Sequence, residues 1–163
     1  MNYSKGHSVL QVTNHGGKTM KTLIIYGTKS GASYECAKLL ETLIENSTIL
    51  NIADRQPDLT GFDRVIIGAG VRNDKMYKPI RDYLKKNQTD LLTKEIACFL
   101  CNSKPKTTAE VILTSIPQSI REASIEIVSF GGYKPSWVPV KSDNKLKGIQ
   151  QEKITEFVTK LSQ

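Results

Sequence analysis

The strongest constraint on this chain's fold is a repeated pattern, short continuous apolar runs separated by stretches of helical period. Thr22-Leu23-Ile24-Ile25-Tyr26, Val65-Ile66-Ile67-Gly68-Ala69 and Ile96-Ala97-Cys98-Phe99-Leu100 have strand length and little polar alternation, as strands covered on both faces require. Ile125 to Phe130 repeats that character, so all four are expected as central strands. Thr48 to Ile52 alternates with polar residues and suits a sheet edge. Between them, Ala37, Leu39, Leu40, Leu43 and Ile44 make one helical face, and Ile80, Tyr83 and Leu84 another. A third helix carries Val111, Ile112, Ile116 and Ile120, with Pro117 expected to end or kink it. The last carries Ile149, Ile154, Phe157, Val158 and Leu161, and the interval from Ala53 to Asp63 has room for at most one helical turn near Asp58 to Gly61. This alternation predicts a five-stranded parallel α/β sheet with right-handed crossovers and helices on both faces. Such sheets bind ligands beyond the carboxyl ends of their strands, here residues 27–34, 70–77 and 101–107.

A length of 163 residues with 39% hydrophobic residues fits one domain with a substantial core. Residues 1–19 are polar and Gly-rich, show no period, and are expected to be a disordered tail or a non-native extension, leaving 20–163 as the domain. Gly16-Gly17-Lys18-Thr19-Met20 is compatible with translation of a purine-rich ribosome-binding site, so Met20 is expected as the native start. No apolar run approaches the roughly 20 residues of a membrane span, and no signal-peptide pattern opens the chain, so a cytoplasmic protein is expected. Cys36, Cys98 and Cys101 do not form the even framework of a secreted domain and are expected as reduced thiols. The formal charge is +7, and +5 without Lys5 and Lys18. Its basic residues are scattered, without interleaved aromatics, which argues against a nucleic-acid module.

The first apolar run leads into Gly27-Thr28-Lys29-Ser30-Gly31-Ala32-Ser33 and then a helix. Amide hydrogens at a helix N-terminus and short hydroxyl side chains converge there, which makes an anion site or, without a ligand, a hydroxyl-rich cap. The ATP and GTP loop needs Lys-Ser/Thr after its last glycine, whereas Ala32-Ser33 follows Gly31. The dinucleotide Gly-x-Gly-x-x-Gly spacing is absent, and so is the Asp pair of a phospho-acceptor receiver.

The segment Ile24-Ile25-Tyr26-Gly27-Thr28-Lys29-Ser30-Gly31-Ala32-Ser33, followed by Ala37 and Leu40, resembles the flavodoxin signature, with Ser33 where that family usually has Thr. The resemblance implies a flavodoxin-like three-layer sandwich with strand order 2-1-3-4-5 and FMN as cofactor at the point where the order reverses. Within the family the chain is most similar to the branch that includes menaquinone-dependent protoporphyrinogen oxidase, through Met20 to Ile24, Phe62 to Ala69 with Arg72, and Phe130-Gly131-Gly132-Tyr133. That enzyme's long basic and apolar insertion has no counterpart here, since Pro135 to Lys147 is short and polar. The resemblance therefore stops short of that specific activity.

It further implies that Thr28, Lys29, Ser30, Gly31, Ala32 and Ser33 hold the FMN phosphate. Gly70, Val71, Arg72, Tyr77, Cys101, Asn102 and Ser103 would flank the isoalloxazine, with Tyr77 the best aromatic candidate. Tyr133 and Trp137 either fold over the site or pack on the last helix. Cys98 and Cys101 lie three apart on a strand and should face opposite ways. His7 and His15 both precede the domain, which removes histidine from any acid/base or metal site in it. Lys29, Arg72, Lys75, Lys78, Lys104 and Lys106 cluster in or beside the three loops, a rim suited to an acidic redox protein or a small anionic substrate, or simply a solvated surface. The expected function is electron transfer to a partner protein or small acceptor. The alternatives are an FMN-dependent oxidase or reductase of the protoporphyrinogen oxidase or quinone reductase type, and an FMN-less interaction module.

Overall fold

The computed structural model describes residues 20–133 and 148–163, so the expectations for residues 1–19, for Trp137 and for the rest of 134–147 lie outside the described residues. Strands β1 (Thr22–Gly27), β2 (Ser47–Asn51), β3 (Arg64–Arg72), β5 (Glu95–Cys101) and β6 (Ser124–Ser129) form a parallel sheet in the order β2-β1-β3-β5-β6. Counting only these five, this is the expected 2-1-3-4-5. A two-residue strand, β4 (Lys75–Met76), joins it by pairing antiparallel with β3.

Period-two alternation sorts each strand between two cores. Ile24, Tyr26, Ile66, Ala97, Phe99 and Cys101 face α1 (Ala32–Leu43) and α6 (Gln151–Leu161). Leu23, Ile25, Val65, Ile67, Ile96, Cys98 and Leu100 face the other layer. That layer comprises α2 (Lys78–Lys86), α3 (Gln88–Leu91), α4 (Thr108–Ser115) and α5 (Gln118–Ala123). Gly68 is required by its neighbour, because a Cβ there would lie 1.9 Å from Phe99 Cζ. The Phe99 ring stacks on Phe130 at 5.0 Å, and Phe130 meets Phe157 edge-on at 5.3 Å, an aromatic column joining sheet to α6.

One expectation changes. The last strand is an edge, not a central strand: β6 pairs only with β5 in the described sheet, and Ile125 is exposed. Its apolar content serves packing of Ile127 and Val128 against opposite cores, which an edge strand needs as much as a central one. The interval from Ala53 to Asp63 holds no helix, within the expected limit of one turn, and turns near Gly61 with Thr60 N–H donating to Asp58 Oδ1 and Gly61 at φ 85. Pro117 does break the third helix, separating α4 from α5. Among the described residues no helix is long and apolar enough to cross a membrane.

Candidate functional site

Strand register aligns the carboxyl ends, with Gly27 opposite Ala69 and Gly70 opposite Cys101. After β1 the chain closes on itself. Buried Ser33 donates its hydroxyl to the Gly27 carbonyl at 2.7 Å, and the Gly31 N–H donates to Thr28 Oγ1 at 2.7 Å. Gly31 sits at φ 95, a conformation that favours glycine. No side chain caps α1, and its first helical bond runs from Glu35 N–H to Gly31 C=O. The amides of Ala32, Ser33 and Tyr34 therefore precede any intrahelical acceptor. Lys29 and Ser30 are exposed at the tip, so Ser30 is the freely presented hydroxyl while those of Thr28 and Ser33 hold the loop.

The second expected loop, 70–77, is largely a hairpin. Strand β3 continues through Gly70 and Val71 to Arg72, and Asn73 and Asp74 turn the chain at φ 55 and 60. Two successive left-handed residues suit a tight hairpin turn, and Asn and Asp tolerate that region best among non-glycine residues. Tyr77 N–H closes the hairpin on the Gly70 carbonyl at 2.9 Å, while Met76 N–H donates to Ser115 Oγ at 3.1 Å. The half-buried Tyr77 ring lies against Gly27, where a Cβ would come within 2.7 Å of Tyr77 Cδ2. It thereby joins the hairpin to the β1 loop.

Beyond β5, the Asn102 side chain is buried and spent on its own loop. Its Nδ2 donates to the Lys104 carbonyl, Thr107 Oγ1 and Thr108 Oγ1, each at 3.0 Å, and its Oδ1 accepts from Lys104 N–H. Ser103 is exposed beside it. The chain leaving β6 crosses this loop at Gly132, where a Cβ would lie 2.9 Å from Ser103 N. That crossing delivers Tyr133 to the β1 loop, where its ring approaches Gly31 and its hydroxyl donates to Glu35, while the side chain also packs on the core shared by α1 and α6. Burial and then the Glu35 carboxylate push the Tyr133 phenol well up.

Under this cover lies a pair that sequence reasoning did not find. Cys36 Sγ and Cys101 Sγ are 3.6 Å apart and both buried. The contact with Cys36, then burial, hold the Cys101 thiol well above its usual range. Cys98 faces the other core, as strand alternation requires, and burial pushes it up to about 12. The one available signal was that Cys101 falls on the strand face shared by Tyr26 and Phe99, which an α1 starting at Ala32 must cover.

Lys29, Arg72, Lys75, Lys78, Lys104 and Lys106 are all exposed, and among the described residues only Lys78 of the six is ion-paired, to Asp82 at 2.8 Å. Arg72 and Lys75 stand directly opposite each other across the hairpin, a like-charge pair that an anion would relieve.

The chain is 30% identical over 88 residues to protoporphyrinogen IX dehydrogenase [quinone] of Escherichia coli (strain K12), covering 51% of this chain and 49% of that one. It thus spans about half the length of the curated relatives it matches. Among solved structures it is similar to a short-chain flavodoxin associated with a non-canonical PDU bacterial microcompartment, with 20% identity and TM-score 0.57 over 87% of this chain and 97% of that one. It is also similar to a flavoprotein in complex with FMN from Lactobacillus acidophilus NCFM, with 16% identity and TM-score 0.53 over 68% and 93%. At these identities the likeness is one of fold. A family model described as "Flavodoxin domain" matches residues 23–133, and on that match, over a sheet ordered as this one is, the chain belongs to the flavodoxin domain family.

Proposed function

We propose that this chain holds FMN at the carboxyl end of its sheet and passes electrons between a reductant and a partner protein or small acceptor. The start of α1 carries the reading: a helix N-terminus without a side-chain cap, presented by a loop that its own hydrogen bonds hold closed. Such amides, with the helix dipole behind them, fit a phosphate dianion. Thr28, Lys29, Ser30, Gly31, Ala32 and Ser33 would hold that phosphate, Ser33 by shaping the loop and Ser30 by direct donation. Gly70, Val71, Arg72 and Tyr77 would flank the flavin on one side and Cys101, Asn102 and Ser103 on the other. Bound FMN supplies reversible one- and two-electron transfer. The chain's part is to hold both walls still, through the Tyr77–Gly70 closure and the Asn102 knot. Its three free, buried cysteines suit a reducing cytoplasm.

Titration of the purified protein with FMN, read by flavin absorbance and fluorescence quenching, tests this reading. Saturable binding at one site is expected. A colourless protein that takes up no added FMN overturns it and leaves an interaction module.

The relation to protoporphyrinogen IX dehydrogenase and the basic rim favour a second reading, an FMN-dependent oxidase or quinone reductase acting on an anionic substrate. Turnover of protoporphyrinogen with a quinone by the FMN-loaded protein would establish it, and no turnover would leave the carrier.

A further inference from the structure

We propose that Cys36 and Cys101 form a second redox centre of this protein, a dithiol that oxidises reversibly to an intramolecular disulfide at the carboxyl end of the sheet. The inference rests on the geometry of the two thiols and stands whether or not FMN binds. The sulfurs approach to 3.6 Å across 65 residues of chain, one on the first turns of α1 and the other ending β5. A disulfide needs about 2.05 Å, so the two sulfurs close by about 1.5 Å to bond. Cys98 supplies the contrast. It is equally buried, but it lies on the opposite face of the same strand, and its polar neighbour is Ser124 Oγ at 3.9 Å.

The oxidant is a hydroperoxide or another small two-electron acceptor. Cys101 retains 4% exposure and Cys36 none, which assigns Cys101 as the sulfur the oxidant meets, and because its thiol is held well above the usual range the step quickens as pH rises. Its sulfur attacks the peroxide oxygen, the O–O bond breaks, one water or alcohol leaves, and Cys101 becomes a sulfenic acid. The Cys36 sulfur then displaces the sulfenic oxygen, which departs as water with the Cys36 proton. Two thiols and one peroxide thus give one disulfide and either two waters or one water and one alcohol. A dithiol reductant reverses the step by exchange. Because Cys36 lies five residues beyond Gly31, the disulfide ties the helix carrying the anion loop directly to the loop at Asn102.

The test treats the reduced full-length protein with hydrogen peroxide, alkylates it under denaturing conditions, and maps it by mass spectrometry. A loss of two hydrogens, a Cys36–Cys101 linked peptide, one alkylated thiol at Cys98 and return to three thiols with dithiothreitol are expected. C98S must still form the link. C36S must not, and its Cys101 should accumulate sulfenic acid that dimedone traps. Three alkylatable thiols after treatment, or a link through Cys98 or between two molecules, would overturn the proposal without bearing on FMN, and the wild-type map requires no variant to fold.

Discussion

The two ends of the sheet are built from opposite materials. In a parallel α/β layer, each helix that follows a strand starts at the carboxyl end and finishes at the amino end, so partial positive charge gathers at one and partial negative at the other. The amino end answers with a cation: buried Arg64 donates to Glu95 through Nε at 2.7 Å and to the Leu161 carbonyl, in the last turn of α6, at 2.9 Å. Lys94 donates likewise to the Phe62 carbonyl, and Lys21 N–H to Asp63. At the carboxyl end α1 has no side-chain cap, and five of six rim cations have no ion-pair partner among the described residues. One end satisfies its helix charge internally. The other has no such internal partner among the described residues.

Breaking the amino end should have the largest effect. Arg64→Ala leaves the Glu95 carboxylate and the Leu161 carbonyl without their donor and is expected to cost about 3 kcal/mol. Urea unfolding measures it, with FMN affinity of the folded protein unchanged. A loss below about 1 kcal/mol would remove the contrast.

Alkaline titration sharpens the comparison from inside. Cys98 rises from 9.0 to about 12 and Tyr83 from 10.0 to about 12, both chiefly by burial. The folded state holds these protons more tightly, so stability is fully present below about pH 9 and is lost as pH rises toward 12. A fall on the order of 2 kcal/mol between pH 9 and 11 is expected in urea midpoints. Cys98→Ala should flatten the lower part of that limb, and an unchanged slope would assign it elsewhere.

At the carboxyl end Ser33→Ala removes one hydroxyl bond to Gly27 and should cost only about 1 kcal/mol of stability, while weakening FMN binding at least about tenfold. The reverse ranking, large in stability and neutral in affinity, would make this loop an ordinary structural turn. Smallest is Lys75→Glu, which places an opposite charge across from Arg72. It should add about 0.5 kcal/mol of stability while slowing association with an acidic partner, and stopped-flow at low salt would show both whether the rim steers and how far salt screens it.

Much of this was legible along the chain because its causes are local. The apolar runs at Ile24, Ile66 and Phe99 specify buried strands by composition, and Gly27 to Ser33 specifies a strand-to-helix turn through glycine and hydroxyl chemistry. The hairpin at Asn73-Asp74 carried a local signal as well, yet expecting a loop there concealed the pairing of Val71 with Met76. The edge position of β6 left no such mark, because Ile127 and Val128 must pack on two cores wherever the strand lies.

By itself, the sequence determined the alternation of elements, the strand-to-helix loop from Gly27 to Ser33 and the positive charge, since each depends on residues within a turn or two of one another. Only the tertiary structure decided that Tyr133 closes over Gly31 and that Cys36 meets Cys101. Those contacts join residues 102 and 65 positions apart and depend on strand register and the docking of α1, which no local pattern encodes.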